Sequence, residues 1–441
     1  MPPTIEKLTH EKRGLSRISL VGVWKVLNHV VFVVVHLPMG FLTRSRVRVS
    51  VLVTLLALVA ACAHIPKRSP LPVEHVDDAA VLGIPRARMW GDAPPPWEHD
   101  WFERSKAELK ERYSGVYGRP HTYLAISGGG ENGAFVAGIL AGWTVAGDRP
   151  EFTTVTGISA GALVAPFAFL GPEYDEVLKS VSSELKADDV YKRRGLIRAL
   201  RTDAMATTEP LQALIAKYVD DKVMEKIAAA HREGRSLNIG TANLDSMRPV
   251  VWRIGPIANS GHPDALALIR KILLASASVP AAFSPVLIPV EVDGTTYDEL
   301  HVDGGAASQV FLYPVGVDYE EVLAKLEVPG HPKVYIIRNS RLDPIYEQVE
   351  NKLIPIAGRS LESLVRTQGI GDLYRIYLET CRDGLEFHLA YIPADFTVKS
   401  DGQFDRAYMQ ALFDLAYERS KAGYRWEKMP PELQEAPIEC R

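Results

Sequence analysis

Residues 154–164 read Thr-Val-Thr-Gly-Ile-Ser-Ala-Gly-Ala-Leu-Val, a serine set between glycines where a β-branched run stops and a small, helix-compatible run begins. Val155-Thr156 has the character of a buried strand end and Ala160 to Leu170 that of a helix start. Gly157-Ile158-Ser159-Ala160-Gly161 must then make the sharp turn between them, the arrangement of a nucleophile elbow. Gly157 and Gly161 are required because the turn strains the backbone and leaves no room for side chains beside the serine. Ser159 is thereby pushed out at the carboxyl end of a sheet. The plainer reading is a helix that starts with small residues and uses Ser159 as its N-cap. What the chain places around the serine decides between them.

A second strand-to-helix turn precedes the first. Thr122 to Ile126 is a short β-rich run that ends in Ser127-Gly128-Gly129-Gly130, and a helix is expected from Ala134 to about Val145. Gly128 to Gly133 satisfy G-x-G-x-x-G, which raises a dinucleotide site. That site wants an acidic residue about 20 positions later to hold ribose, and here the next strand ends in Gly157-Ile158-Ser159 instead. No Lys-Ser/Thr follows the glycines, so a phosphate-binding P-loop is excluded. The loop suits a different role, because backbone N–H groups freed by consecutive glycines beside a helix N-terminus can point at an oxygen that turns negative when a serine attacks an ester. Adjacent parallel strands end at one edge, so this loop and Ser159 should be neighbours. Neither a cofactor nor a metal is expected.

An attacking serine needs a base. A hydrolase triad would supply histidine late in the chain, but His331 lies in a Pro-Gly-His-Pro turn and His388 alternates within an expected strand, Leu385 to Ile392. His301-Val302-Asp303-Gly304-Gly305 offers a carboxylate at a strand end instead, with Gly304 and Gly305 to turn the chain. His301 reads as a structural hydrogen-bonding residue.

Taken together, these residues resemble the patatin-like phospholipases: a glycine-rich loop, a G-x-S-x-G elbow and a later Asp-Gly-Gly, in that order. The resemblance covers roughly Tyr123 to Ser308 and includes Ala275-Ser276-Ala277-Ser278-Val279-Pro280-Ala281-Ala282-Phe283, similar to the segment before the aspartate strand in that family. It implies Ser159 as nucleophile, Asp303 as general base and later acid, and Gly128, Gly129 and Gly130 as the oxyanion loop, in a Ser-Asp dyad without histidine. Two departures stand out, because Ser127 and Asn132 occupy positions where many members carry Asp and Arg or Lys. The implied function is hydrolysis of acyl lipids through an acyl-enzyme. Its rivals are a general carboxylesterase or thioesterase on soluble esters, and a non-enzymatic lipid-binding envelope lipoprotein.

Around this centre, expected strands alternate with helices: helices near Tyr174–Leu185, Leu211–His231, Ala265–Ala275 and Leu361–Glu379, and strands near Leu237–Thr241, Pro249–Ile254, Val286–Val292, Tyr297–Val302 and Lys333–Arg338. That alternation implies a three-layer α/β/α fold with a mostly parallel central sheet. The chain has 441 residues, 47% hydrophobic, with a formal charge of −4, which gives no basic face for nucleic acid. Val51 to Val59 is apolar, follows Arg44, Arg46 and Arg48, and precedes Ala60-Ala61-Cys62, so it resembles a bacterial lipoprotein signal with Cys62 as the lipid-modified residue. An uncleaved membrane helix is disfavoured by its length.

The expected organisation is therefore an upstream extension over 1–38, a signal over 39–61 and a Pro-rich tether over 62–96 that could dock in part through Met89 and Trp90. A catalytic core over 97–312 and a C-terminal α/β part over 313–441 follow. The extension could instead be a poorly hydrophobic membrane segment, Ile18 to Leu37. The expected location is the bacterial envelope, anchored by lipid in the outer membrane and facing the periplasm, with an acyl lipid as substrate and no named protein partner. In that oxidising compartment Cys381 and Cys440 could pair.

Overall fold

The computed structural model describes residues 68–193 and 204–433. The expected extension, signal and Cys62 lie outside the described residues, as does Cys440. In chain order the strands are β1 (Arg88–Trp90), β2 (Thr122–Ile126), β3 (Thr154–Ile158), the short pair β4 (Lys192–Arg193) and β5 (Ala206–Thr207), β6 (Ser236–Asn243), β7 (Arg248–Arg253), β8 (Val286–Val292), β9 (Thr295–Asp303), β10 (Lys333–Arg338) and β11 (Glu386–Tyr391). The principal helices are α1 (Gly133–Ala146), α2 (Ala160–Leu170), α3 (Asp175–Glu184), α4 (Glu209–Tyr218), α5 (Asp221–Arg232), α6 (Ala265–Ser276), α7 (Leu353–Arg382) and α8 (Arg406–Lys421).

A nine-stranded sheet runs β1-β7-β6-β3-β2-β10-β11, with β9 joined to β6 and β8 to β9. Its centre, from β6 through β3, β2 and β10 to β11, is parallel. Parallel strands buried on both faces explain why these segments are almost continuously apolar. Leu124, Ile126, Tyr335 and Ile337 join one core cluster, while Tyr123, Ala125, Val334 and Ile336 join the other beneath α7. The sheet thus has helices on both faces, the three-layer arrangement the sequence implied.

α1 is apolar all round because it is buried all round, between the sheet and α8. Gly138 and Gly142 permit that contact: a Cβ at either would run into the backbone carbonyls of Phe413 and Tyr417. α8 has no counterpart in the sequence reading. Its charged residues hide an apolar stripe of Met409, Leu412, Phe413 and Ala416.

Four expectations need correction. The region from Arg68 to Pro96 docks further than a tether held at Met89 and Trp90: Arg88–Trp90 does pair with β7, but Ala79, Val81, Ile84 and Ala87 are buried as well. The sequence hid this because proline-rich composition conceals short apolar insertions. The expected helix Leu211–His231 is two helices, since Asp220 accepts a hydrogen bond from the Val223 N–H at 2.9 Å and starts a new one. Trp97–Tyr113, where Trp101, Phe102, Leu109 and Tyr113 at helical spacing suggest one surface helix, likewise splits, into Glu98–Phe102 and Lys106–Arg112, where Ser105 and Glu108 form a capping box. Nor does the C-terminal α/β part from residue 313 merely pack on a core that ends at 312, because β10 pairs directly with β2 and is woven into the same sheet.

Candidate active site

Ser159 sits at φ +56°, ψ −125°, a backbone region that disfavours any side chain and persists only where neighbours enforce it. The enforcement is visible. A Cβ at Gly157 would lie 2.5 Å from the Gly161 carbonyl oxygen, and one at Gly161 would overlap the Ile126 carbonyl. The Ser159 N–H donates to Ser276 Oγ at 3.1 Å, and that hydroxyl donates to the Gly240 carbonyl at 2.6 Å. The Ser159 side chain makes no capping hydrogen bond to α2. The plainer N-cap reading therefore falls, and the hydroxyl is left for chemistry.

The carboxylate arrives by an unusual use of one strand edge. β6 pairs β7 along one side; along the other it pairs β3 from Ser236 to Gly240 and then β9 from Thr241 to Asn243. β3 is parallel to β6 and β9 antiparallel, so the two approach head-on and their tips, Ile158 opposite Gly240 and Asp303 opposite Thr241, become neighbours. Gly304 is needed there, because a Cβ would sit 2.6 Å from the Gly240 carbonyl oxygen. The Asp303 N–H donates to the Ser278 carbonyl at 2.9 Å. Thus Ser276 and Ser278, in the segment quoted above, hold the nucleophile and the acid respectively.

Asp303 Oδ1 accepts from the Gly305 N–H at 2.7 Å, while buried Oδ2 has no hydrogen-bond partner of ordinary geometry among the described residues. Burial pushes the carboxyl up to about 6, against the Ser159 side chain and the Gly305 N–H, which favour the charged form. A buried carboxylate with one unused oxygen beside a serine hydroxyl can take a proton from it.

The three late histidines have other hydrogen-bond partners. His301 is buried between Thr241 Oγ1 at 3.0 Å and Glu299 at 3.1 Å, in a network with Trp252 and Arg88. His331 is exposed and bonds the Gly384 carbonyl, and His388 bonds the Glu386 carbonyl and Lys428.

The glycine loop stands next to the elbow: a Cβ at Gly128 would be 3.0 Å from Ser159 Cβ. Its N–H groups differ in availability. That of Gly128 donates to the Gln309 carbonyl at 3.3 Å, whereas those of Gly129 and Gly130 have no acceptor among the described residues. Gly133 begins α1 behind Ala160.

Two residues the sequence reading missed fix this loop. Asn339, fully buried just past β10, donates through its backbone N–H to Ser127 Oγ and through its amide to the Ser127 carbonyl, both at 2.9 Å. Its Oδ1 accepts from the Val136 N–H at 3.3 Å. Gln309 bridges loop and acid, because its Nε2 donates to the Gly305 carbonyl at 2.7 Å and its own N–H is held by Asp372 at 2.6 Å. Both lie at the carboxyl edge of the sheet, where functional groups of such folds gather. That edge was the only sequence signal for them.

The two departures also gain a physical account. Ser127 is a hydrogen-bonding hub, donating to the Gly128 carbonyl at 2.7 Å. Asn132 accepts from Tyr408 Oη at 2.7 Å, which ties the loop to α8.

From Ser159, Gly129 and Gly130 opens a cavity of about 1040 Å³, walled by side chains such as Leu163, Phe167, Leu178, Leu214, Ile215 and Phe283. No histidine lines it among the described residues. Those residues also hold no group of three or more His, Cys, Asp or Glu that could bind a metal.

A half-buried elbow serine, a buried carboxylate, loop N–H groups without an acceptor and an apolar cavity together form a candidate acyl-hydrolase site on a mostly parallel α/β sheet. The family model described as patatin-like phospholipase matches residues 124–315. Residues 124–315 thus form a patatin-like phospholipase domain. Among solved structures the chain is similar to VipD from Legionella pneumophila, at 11% identity and a TM-score of 0.35, over 69% of this chain and 67% of that one. No curated protein matches it at a significant level.

Proposed function

We propose that Ser159 and Asp303 form a catalytic dyad that cleaves carboxylic esters of membrane lipids. The observation that carries this reading is the unpartnered Oδ2 of Asp303 at the tip of β9, facing the tip of β3. Oδ2 takes the Ser159 proton as Oγ attacks the ester carbon, and the carbonyl oxygen becomes an anion between the Gly129 and Gly130 N–H groups. Collapse expels the alcohol, which takes the proton from Asp303 and leaves an acyl-serine. Water then attacks; Asp303 accepts its proton and returns one to Ser159 as the fatty acid departs. The apolar cavity supports a long acyl chain over a small soluble ester.

Because the base must be ionised, kcat/KM on a neutral ester should rise with pH through about 6 and then level off. A linked stability effect follows. The folded carboxyl titrates above its ordinary value of 3.8, so burying its charge costs stability above pH 6, and the cost fades as pH falls to 3.8. Asp303→Asn should therefore be more stable than the parent at pH 8, by ~3 kcal/mol at most, and lose that advantage near pH 4. Denaturant melts at the two pH values check this; a variant less stable at pH 8 would contradict it.

The same reading places the enzyme on the envelope through a lipid on Cys62, where a tether keeps the site at high local lipid concentration. Membrane-extracted protein should then begin with acylated Cys62 and lack residues 1–61. An intact mass for an unmodified chain retaining 39–61 would refute the anchor.

A further inference from the structure

Helix α7 carries its polarity the wrong way round in its first half. At 100° per residue, Leu353, Ile356, Leu361 and Leu364 share one arc of about 140°, with Arg359, Glu362 and Arg366 opposite. On an ordinary surface helix the apolar arc faces the protein. Here Arg359 is half-buried and bonds the Ile345 carbonyl, Arg366 bonds the Leu342 carbonyl, and Leu353 and Leu364 are 84% and 68% exposed. Ile345, Tyr346 and Val349 extend the exposed apolar surface just upstream. Apolar area of this kind, rimmed by charges, marks a surface that meets something apolar.

Its position indicates what. α7 runs antiparallel to β10: Leu373 and Ile376 pack with Val334 and Ile336, and Gly369 lies against the guanidinium of Arg338, the last residue of β10. Residues 353–368 therefore overhang the carboxyl edge of the sheet by about 24 Å at 1.5 Å per residue. Ser159 and Asp303 lie at that same edge. The root of the overhang is tied to the acid loop, since Gln309 Nε2 donates to both Gln368 Oε1 at 3.0 Å and the Gly305 carbonyl. Met205 and Val279, two residues of the cavity wall, are also exposed.

We propose that this overhang is a docking surface for a lipid bilayer, lying in the plane of the interface and setting the cavity mouth against the acyl layer; the proposal rests on the lipid-ester reading above. A lipid surface suits it better than an acidic or basic protein, because residues 341–366 hold four cations and four anions and so offer no net charge to a partner. No helix among the described residues is long and apolar enough to cross a membrane, so contact is from one side. Binding should accordingly be driven by the four apolar side chains and need no anionic lipid.

The test is flotation with zwitterionic phosphatidylcholine vesicles, using the mature-length chain from residue 62 with Cys62→Ser, so that neither an acyl anchor nor the apolar runs upstream of it contribute. This protein should float, and raising salt from about 0.1 M to about 1 M should not release it. Adding Leu353→Gln, Ile356→Gln, Leu361→Gln and Leu364→Gln should cut vesicle partitioning and hydrolysis of vesicle lipid by about tenfold or more. Hydrolysis of a soluble short-chain ester should stay within about twofold, which also reports that the variant is folded. A variant that floats as well as its parent, or release by salt, overturns the proposal. So does light scattering in which the parent is a dimer and the variant a monomer, because a second copy would then be the occupant. Ser159→Ala should float normally; flotation without hydrolysis of any ester by the parent would support docking and overturn the dyad reading instead.

Discussion

Ser159→Ala and Asp303→Asn are each expected to lower ester hydrolysis by roughly 10⁴-fold or more, the scale seen when a serine hydrolase loses its nucleophile or its base. The two losses should not add, since the groups act in one proton transfer. The serine is already held in a strained conformation by Gly157, Gly161 and Ser276, so alanine at 159 should keep the fold and lose only the hydroxyl. His331→Ala and His388→Ala should retain most activity. For His301, buried among Thr241, Glu299 and Trp252, glutamine is the fairer replacement, because it can keep part of the network. Steady-state rates per folded molecule check all five. A loss at any histidine comparable to Asp303→Asn would replace the dyad with a triad.

Gly129→Ala is the second large effect, expected at about 10²- to 10³-fold in turnover, the cost of losing one oxyanion donor. The cause is specific. An alanine Cβ there would overlap the Asn339 carbonyl oxygen and lie 2.6 Å from Asn339 Cβ, so the loop must move and its N–H must turn away. Gly130→Ala is the contrasting case, with open space around the Cβ and only the left-handed φ of +57° to resist it. It should cost on the order of 1 kcal/mol in stability and less activity. Single-turnover acylation rates separate the two. Equal losses, or full activity for Gly129→Ala, would place the oxyanion donors elsewhere.

The parts of the site that could be read in the sequence are those with local geometry. Gly157-Ile158-Ser159-Ala160-Gly161 announces its turn by residue type, and Asp303 announces itself as the last residue of a strand followed by two glycines. Strands with uniform apolar runs were equally plain, and β2, β3 and β10 lie where their composition places them. Asn339 was not readable. Its partner Ser127 is 212 residues away, and nothing about an asparagine after a strand says that it clamps a glycine loop. The head-on meeting of β3 and β9 was equally hidden, because strand order along the two edges of β6 leaves no mark in either strand.

In the proposed loop Gly129 and Gly130 offer the N–H groups, while Gly128 leaves room beside Ser159 and its own N–H is spent on Gln309. α8 escaped notice because charged residues outnumber its apolar stripe, and the first half of α7 misleads for the opposite reason, since its leucines face outward.

Covalent labelling tests the dyad most directly. A long-chain serine-reactive phosphonate, incubated with purified protein at pH 8 and followed by intact mass and peptide mapping, should give one adduct per chain, on Ser159. Labelling should slow steeply in Asp303→Asn and as pH falls below about 6 in the parent. An adduct on another residue, or labelling of Ser159 as fast in Asp303→Asn as in the parent, would contradict the account.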